Sequence, residues 1–206
     1  MLNYNQKYIV FDTETEGLNL KYSRPWELSY VLAQGTKILD RRQIYIDIPN
    51  LDVSPFIRRL TGFTDEEFDA KKISPQAALD EFSQYLYDKN YIIIGQNILK
   101  FDVWMLRILA DLVGEKLDFS FMDRFMDTRF LAVADLNQIT KPRNGQYLNW
   151  FYKLHNDSSL KRRGVGQKAL LKKFKIPFDE DKLHDGLYDV EKNWEIFLEL
   201  KERLKL

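Results

Sequence analysis

Residues 8–14, Tyr-Ile-Val-Phe-Asp-Thr-Glu, run a short apolar strand directly into two carboxylates. No other stretch constrains the fold as much. The four consecutive apolar residues Tyr8–Phe11 read as a short, buried strand. On a strand, residues i and i+2 share a face, so Asp12 and Glu14 project together where the strand ends. The carboxyl ends of strands are where α/β sheets hold ligands, and Gly17-Leu18 lets the backbone turn away sharply just beyond. The Asp-x-Glu spacing alone is weak, because 31 acidic residues among 206 produce several such pairs by chance.

The rest of the chain supplies a sheet and its covering helices. Strands are expected at 27–34 and 37–48, joined by a turn at Gly35, with Ile44, Ile46 and Ile48 alternating against Tyr45 and Asp47. Ser54-Pro55 opens a helix that stops near Gly62, and Thr64 with Glu67 reads as a capping box for another. Ser74-Pro75 begins a helix to about Asp88 whose apolar face is Ala78, Phe82, Tyr85 and Leu86. Tyr91–Gly95 is a buried strand. Helices follow at 102–113, 128–136, 146–155, 166–174 and 187–204, with a loop at 137–145. No repeat or linker divides the chain, so residues 1–206 read as a single α/β domain with a mixed central sheet flanked by helices.

Composition narrows the function. Lys plus Arg equals Asp plus Glu, so no strong overall field attracts a polyanion, and a protein that coats nucleic acid non-specifically is disfavoured. A nuclease is compatible, because metal ions bring positive charge into an acidic site. The absence of cysteine excludes disulfides, zinc–thiolate sites and thiol catalysis. The amino terminus lacks a signal-peptide core, and no run approaches the roughly 18 apolar residues of a membrane span. A cytoplasmic, soluble protein without membrane contacts is expected.

Two further segments carry chemistry. Asp102, in Asn97-Ile-Leu-Lys-Phe101-Asp102, sits at a strand-to-helix junction, where it either faces the same site or merely caps the helix. His184-Asp-Gly-Leu-Tyr-Asp189 puts a histidine near a helix start and an acid in its first turn. With a reference pKa near 6.5, a histidine there can accept a proton at neutral pH. His155, the other histidine, has no acidic constellation and reads as a surface or packing residue.

Together these segments resemble the DEDD exonuclease superfamily, in its DnaQ-like branch with a histidine in the third motif. Asp12 and Glu14 stand in Phe-Asp-Thr-Glu-Thr-Glu-Gly-Leu, Asp102 in Asn-x3-Phe-Asp, and His184 with Asp189 in His-x4-Asp. Leu60-Thr-Gly-Phe-Thr64 and Met126-Asp-Thr128 add to the match, which spans roughly residues 8–200. The tyrosine branch places Tyr where this chain has Asp185. Three departures stand out: one extra residue between Asn97 and Phe101, Glu16 where a small residue is usual, and Asp185 beside His184. Glu16 and Asp185 read as modifiers, and Asp185 is expected to raise the pKa of His184.

The resemblance implies a ribonuclease H-like fold and a metal-dependent 3′→5′ exonuclease, akin to proofreading subunits and to stand-alone bacterial or phage exonucleases. It implies two divalent ions, Mg²⁺ or Mn²⁺, held by Asp12, Glu14, Asp102 and Asp189. Asp12 would bridge them, and His184 would take the proton of the attacking water. It also implies that Thr15, Leu18, Phe63, Asn97 and Phe101 line the pocket for the terminal nucleotide of DNA, most readily single-stranded. An exoribonuclease of the same superfamily and a non-catalytic nucleic-acid-binding module are the alternatives. The cation- and ring-rich stretch 141–175 suits phosphate tracking, Lys161, Arg162 and Arg163 above all. No tail able to tether a polymerase is seen after Leu206, so a self-contained enzyme is expected, with polymerase association unsupported by the sequence.

Overall fold

The computed structural model describes residues 5–143 and 145–206. The first four residues of the amino-terminal stretch, and Asn144 in the expected 137–145 loop, lie outside them.

Five strands form one sheet in the order β3-β2-β1-β4-β5. β1 (Lys7–Thr15) is central, antiparallel to β2 (Pro25–Gln34) and parallel to β4 (Tyr91–Gly95). β3 (Lys37–Tyr45) pairs antiparallel with β2 on the outside. On the other side β5 (Phe125–Asp127) runs parallel to β4. The sheet is therefore mixed, as the sequence predicts, but β5 was not expected. Three residues between helical segments are too short to show a period, and only pairing with Ile93–Gly95 makes them a strand.

Helices cover both faces. α1 (Pro55–Thr61), α2 (Asp65–Lys71), α3 (Pro75–Leu86) and α4 (Asp102–Leu112) precede β5. After it come α5 (Thr128–Leu136), α6 (Tyr147–Asn156), α7 (Gln167–Phe174) and α8 (Gly186–Arg203). Ser54 and Ser74 cap α1 and α3 by accepting from the amides of Ile57 and Ala77. Thr64 caps α2, but Glu67 turns to Lys71 at 2.6 Å. β3 ends at Tyr45, three residues before the expected boundary: Ile46 N–H still bonds Trp26 O of β2, but Asp47 N–H turns to Ile73 O instead.

Two cores result, and β1 alternates between them. Ile9 and Phe11 pack with α3 and α4 residues such as Phe82 and Leu106, while Tyr8 and Val10 pack with Trp194 and Phe197 of α8. The same alternation carries on to the acids. Thr13 follows Ile9 and Phe11 toward the α4 side, and Asp12 and Glu14 follow Tyr8 and Val10 toward α8. Among the described residues no helix is long and apolar enough to cross a membrane.

Candidate active site

The end of β1 gathers the acids expected from the sequence. Asp102 is the first residue of α4 and makes no cap bond there. Its Oδ1 instead accepts from Thr13, from the amide at 3.1 Å and from the hydroxyl at 2.6 Å. The helix-capping alternative for Asp102 is thereby replaced by a tie across 89 residues to the strand that carries Asp12 and Glu14.

The third segment closes from the opposite side. Asp185 caps α8 by accepting from Tyr188 N–H at 2.9 Å. His184, just before it, adopts the left-handed region with φ of 75°. In that conformation its own N–H reaches Asp189 Oδ2 at 3.0 Å, fixing loop to helix. Asp189 Oδ1 accepts from Gln167 Nε2 at 3.0 Å, and Gln167 also reaches the Asp189 carbonyl. Gln167 had no sequence signal, since it lies at the start of another helix.

The electrostatics are those of crowded anions. Burial, then the charges of Asp102, Glu14 and Asp189, pushes Asp12 well above the usual carboxylate range. Burial, then Glu27 and Asp189, does the same to Glu14. Burial pushes Asp102 up to about 7 in spite of the two bonds from Thr13, and Asp189 also to about 7. The four carboxylates offer hard oxygen donors and face one another's charge, a set that suits a divalent cation. The side chains remain spread: among the described residues no three His, Asp or Glu side chains converge as ligands of one ion.

His184 departs from expectation. Loss of hydration holds its imidazole below the ordinary value, whereas the neighbouring Asp185 was expected to raise it. The carboxylate of Asp185 accepts from the Tyr188 amide, and burial is the cause that sets the imidazole's shift. The imidazole is thus neutral at pH 7 and free to accept a proton. Glu16 is also less disruptive than its charge suggests. The Arg24 guanidinium grips it through two bonds of 2.7 and 2.6 Å, and the amides of Arg24 and Asp52 add two more. Burial raises its pKa, but these bonds outweigh that and leave it below the ordinary value.

Glu27 is the acid the sequence did not single out. It lies opposite Glu14 in the β1–β2 register, is 3% exposed, and accepts from Ser29 Oγ at 2.7 Å. Burial raises its pKa to about 7. The start of α8 rests on it: a Cβ added at Gly186 would stand 2.2 Å from Glu27 Oε1. The signal available was a lone acid inside Trp26-Glu-Leu-Ser-Tyr-Val31, a strand whose other residues all suit burial.

The expected nucleotide-contacting residues divide. Leu18 is 85% exposed beyond the strand end, and Thr15 is buried with its hydroxyl bonded to Gly17 O at 2.6 Å. Asn97 is left-handed, with φ of 67°, and its N–H bonds Asp127 Oδ1, while Phe101 is half-buried at the start of α4. Phe63 packs edge-on against Trp26 at 4.8 Å, with Arg58 over its ring, and walls a cavity of about 160 Å³ beside Glu27 and Asp185. Of the cationic triplet, Arg162 donates to the carbonyls of Leu154, His155 and Asp157, and Lys161 bonds Asn137 through its backbone. His155 is exposed and sets its ring edge-on to Phe130.

The exonuclease family model RNase_T matches residues 9–197, which include all five expected site residues. The chain belongs to the RNase_T exonuclease family. Within that family setting, it is 25% identical over 198 residues to DNA polymerase III PolC-type of Mycoplasma genitalium, a match covering 96% of this chain and 12% of the polymerase. Exonuclease I of E. coli, solved in complex with a dA16 oligonucleotide, shares its fold at a TM-score of 0.72 and 18% identity, over 98% of this chain and 42% of that one. The zinc-bound form of the E. coli enzyme with single-stranded DNA superimposes at 0.73 and 17% identity, again over 98% and 42%. The exonuclease domain thus spans well under half the length of these relatives. The ribonuclease H-like arrangement implied by the sequence is the one observed.

Proposed function

We propose that this chain is a metal-dependent 3′→5′ exonuclease that removes nucleoside 5′-monophosphates from the 3′ end of single-stranded DNA. The observation that supports it most is that Asp12, Glu14, Asp102 and Asp189 lie close enough at one strand end for their charges to raise the pKa of Asp12 and Glu14, with His184 bonded through its amide to Asp189. Two divalent cations, Mg²⁺ or Mn²⁺, match an all-oxygen donor set of this charge. Bound there, they supply positive charge against the negative charge that builds on the phosphate.

The chain's own groups then have separable tasks. Asp12 and Glu14 offer ligands from the strand, Asp189 from α8 and Asp102 from α4. Thr13 and Gln167 keep Asp102 and Asp189 turned toward the site. His184 accepts the proton of the attacking water, and its unprotonated state at neutral pH suits that task. Leu18, Phe63 and Phe101 offer apolar faces to the terminal base, Thr15 and Asn97 shape the turn around it, and Lys161 and Arg163 attract the phosphates.

DNA is favoured over RNA by the relatives, which are named as DNA polymerases or solved with DNA oligonucleotides. The polymerase relatives also favour work alongside a polymerase in replication or repair, and cytoplasmic action is consistent with that. The deciding experiment incubates 5′-labelled DNA and sequence-matched RNA with the protein and Mg²⁺. A ladder shortening from the 3′ end of DNA supports the reading, and faster trimming of RNA moves the substrate class to RNA.

A further inference from the structure

A second feature adjoins the site without belonging to it. The loop that carries Asn97 lines an apolar cleft of about 170 Å³ through Leu99 and Lys100, facing Phe130 of α5 and Phe151, Tyr152 and His155 of α6. The loop is held there by Asp127, whose carboxylate accepts from the amides of Asn97, Leu99 and Arg129 at 3.0, 3.2 and 2.9 Å. Tyr152 is 69% exposed at the mouth, and the exposed His155 stands beside it. A cleft this size falls below the roughly 300 Å³ at which pockets for whole small ligands begin, so it suits a single ring.

The surroundings of the cleft are cationic. Lys100 lines it, Arg129 starts the helix behind it, and Arg162 is fastened to the carbonyl of His155 at 2.9 Å. Among the described residues none of the three forms an ion pair with a carboxylate. The cations further along do: Lys168 and Lys172 pair with Glu180, and Lys173 with Asp135. Exposed rings beside unpaired cations complement a chain of planar bases on a phosphate backbone.

We propose that this cleft seats a base of single-stranded nucleic acid upstream of the 3′-terminal nucleotide, with Tyr152 and His155 as stacking faces and Lys100 and Arg129 facing the phosphates. The inference rests on the exonuclease reading. It adds a subsite whose lining residue Lys100 stands two residues before Asp102 in the chain.

The test compares a short substrate with a long one. The p-nitrophenyl ester of thymidine 5′-monophosphate reports the reaction centre alone, and an oligothymidylate eight-mer also reaches the cleft. Tyr152→Ala is expected to lower kcat/KM on the eight-mer about tenfold relative to its own rate on the ester. Lys100→Gln combined with Arg129→Gln should reduce the slope of log Kd against log salt by roughly 1.4. Wild-type ratios for Tyr152→Ala, together with an unchanged salt slope, overturn the subsite and leave the exonuclease reading intact. If neither substrate is hydrolysed, the exonuclease reading fails. Anisotropy of a labelled eight-mer in Ca²⁺ then decides the cleft by itself: weaker binding by Tyr152→Ala supports it, and equal binding overturns it.

Discussion

Thr13 gives both its amide and its hydroxyl to one oxygen of Asp102, at 3.1 and 2.6 Å, and so couples the central strand to the start of α4. The contact joins two of the three acidic segments and leaves the second carboxylate oxygen for other partners. Thr13→Val keeps the amide bond and the shape but removes the hydroxyl. Loss of a hydrogen bond to a charged group costs about 2 kcal/mol, so kcat should fall roughly tenfold or more. Steady-state kinetics with a Mg²⁺ titration would show it, and an unchanged kcat would mean that Asp102 is oriented without Thr13.

Gly186 and Glu27 set where α8 lands. With only 2.2 Å between an added Cβ and Glu27 Oε1, Gly186→Ala must shift the helix start or the glutamate. Overpacking of this kind costs about 1–3 kcal/mol. It should also disturb His184 and Asp189, lowering kcat more than it raises KM. In the double variant with Glu27→Ala, the losses in Tm should be smaller than the two single effects combined. Additive losses would show that the two residues do not press on one another.

The pH dependence of stability follows from the raised carboxylates. Glu27, Asp102 and Asp189 titrate near 7 in the folded protein against about 4 in the unfolded chain. The folded state therefore holds more protons between those values, and its stability falls as pH rises through that window. Without divalent metal, Tm should be higher at pH 5.5 than at pH 8, by roughly 6 °C or more. Millimolar Mg²⁺ should raise Tm at pH 8 far more than at pH 5.5. A metal-free Tm that climbs from pH 5.5 to 8 would contradict the raised values.

His184→Ala isolates proton transfer. The side chain is expected to contribute about 10²-fold or more to kcat while adding no metal ligand. Calorimetry with Mn²⁺ should therefore give near wild-type affinity for the variant. Because burial holds the imidazole below its ordinary value of about 6.5, the loss of wild-type activity that its protonation causes should lie below that pH. A wild-type rate in His184→Ala would remove it from the role of base.

The sequence exposed those parts of the site in which chemistry and local structure coincide. Asp12 and Glu14 follow an apolar strand, Asp102 stands at a strand-to-helix junction, and His184 and Asp189 flank a helix start, so each was visible within a few residues. Glu27 and Gln167 depend on which segments meet. A glutamate on β2 is buried only because α8 begins above it, and Gln167 finds Asp189 only through the packing of α7 on α8. β5 was hidden for the same reason, since Phe125–Asp127 becomes a strand only by pairing with β4. The error over His184 was one of balance: a neighbouring acid is visible in sequence, but the loss of hydration that outweighs it is not.

The most direct test of the central claim follows a 5′-labelled single-stranded DNA oligonucleotide with wild-type protein and with Asp12→Asn, each in Mg²⁺, Mn²⁺ or EDTA. The account predicts a ladder shortening from the 3′ end with wild type and either metal, release of nucleoside 5′-monophosphates, and none of this in EDTA or with Asp12→Asn. Equal behaviour of wild type and Asp12→Asn, with or without metal, would contradict it and leave a fold that binds nucleic acid without cutting it.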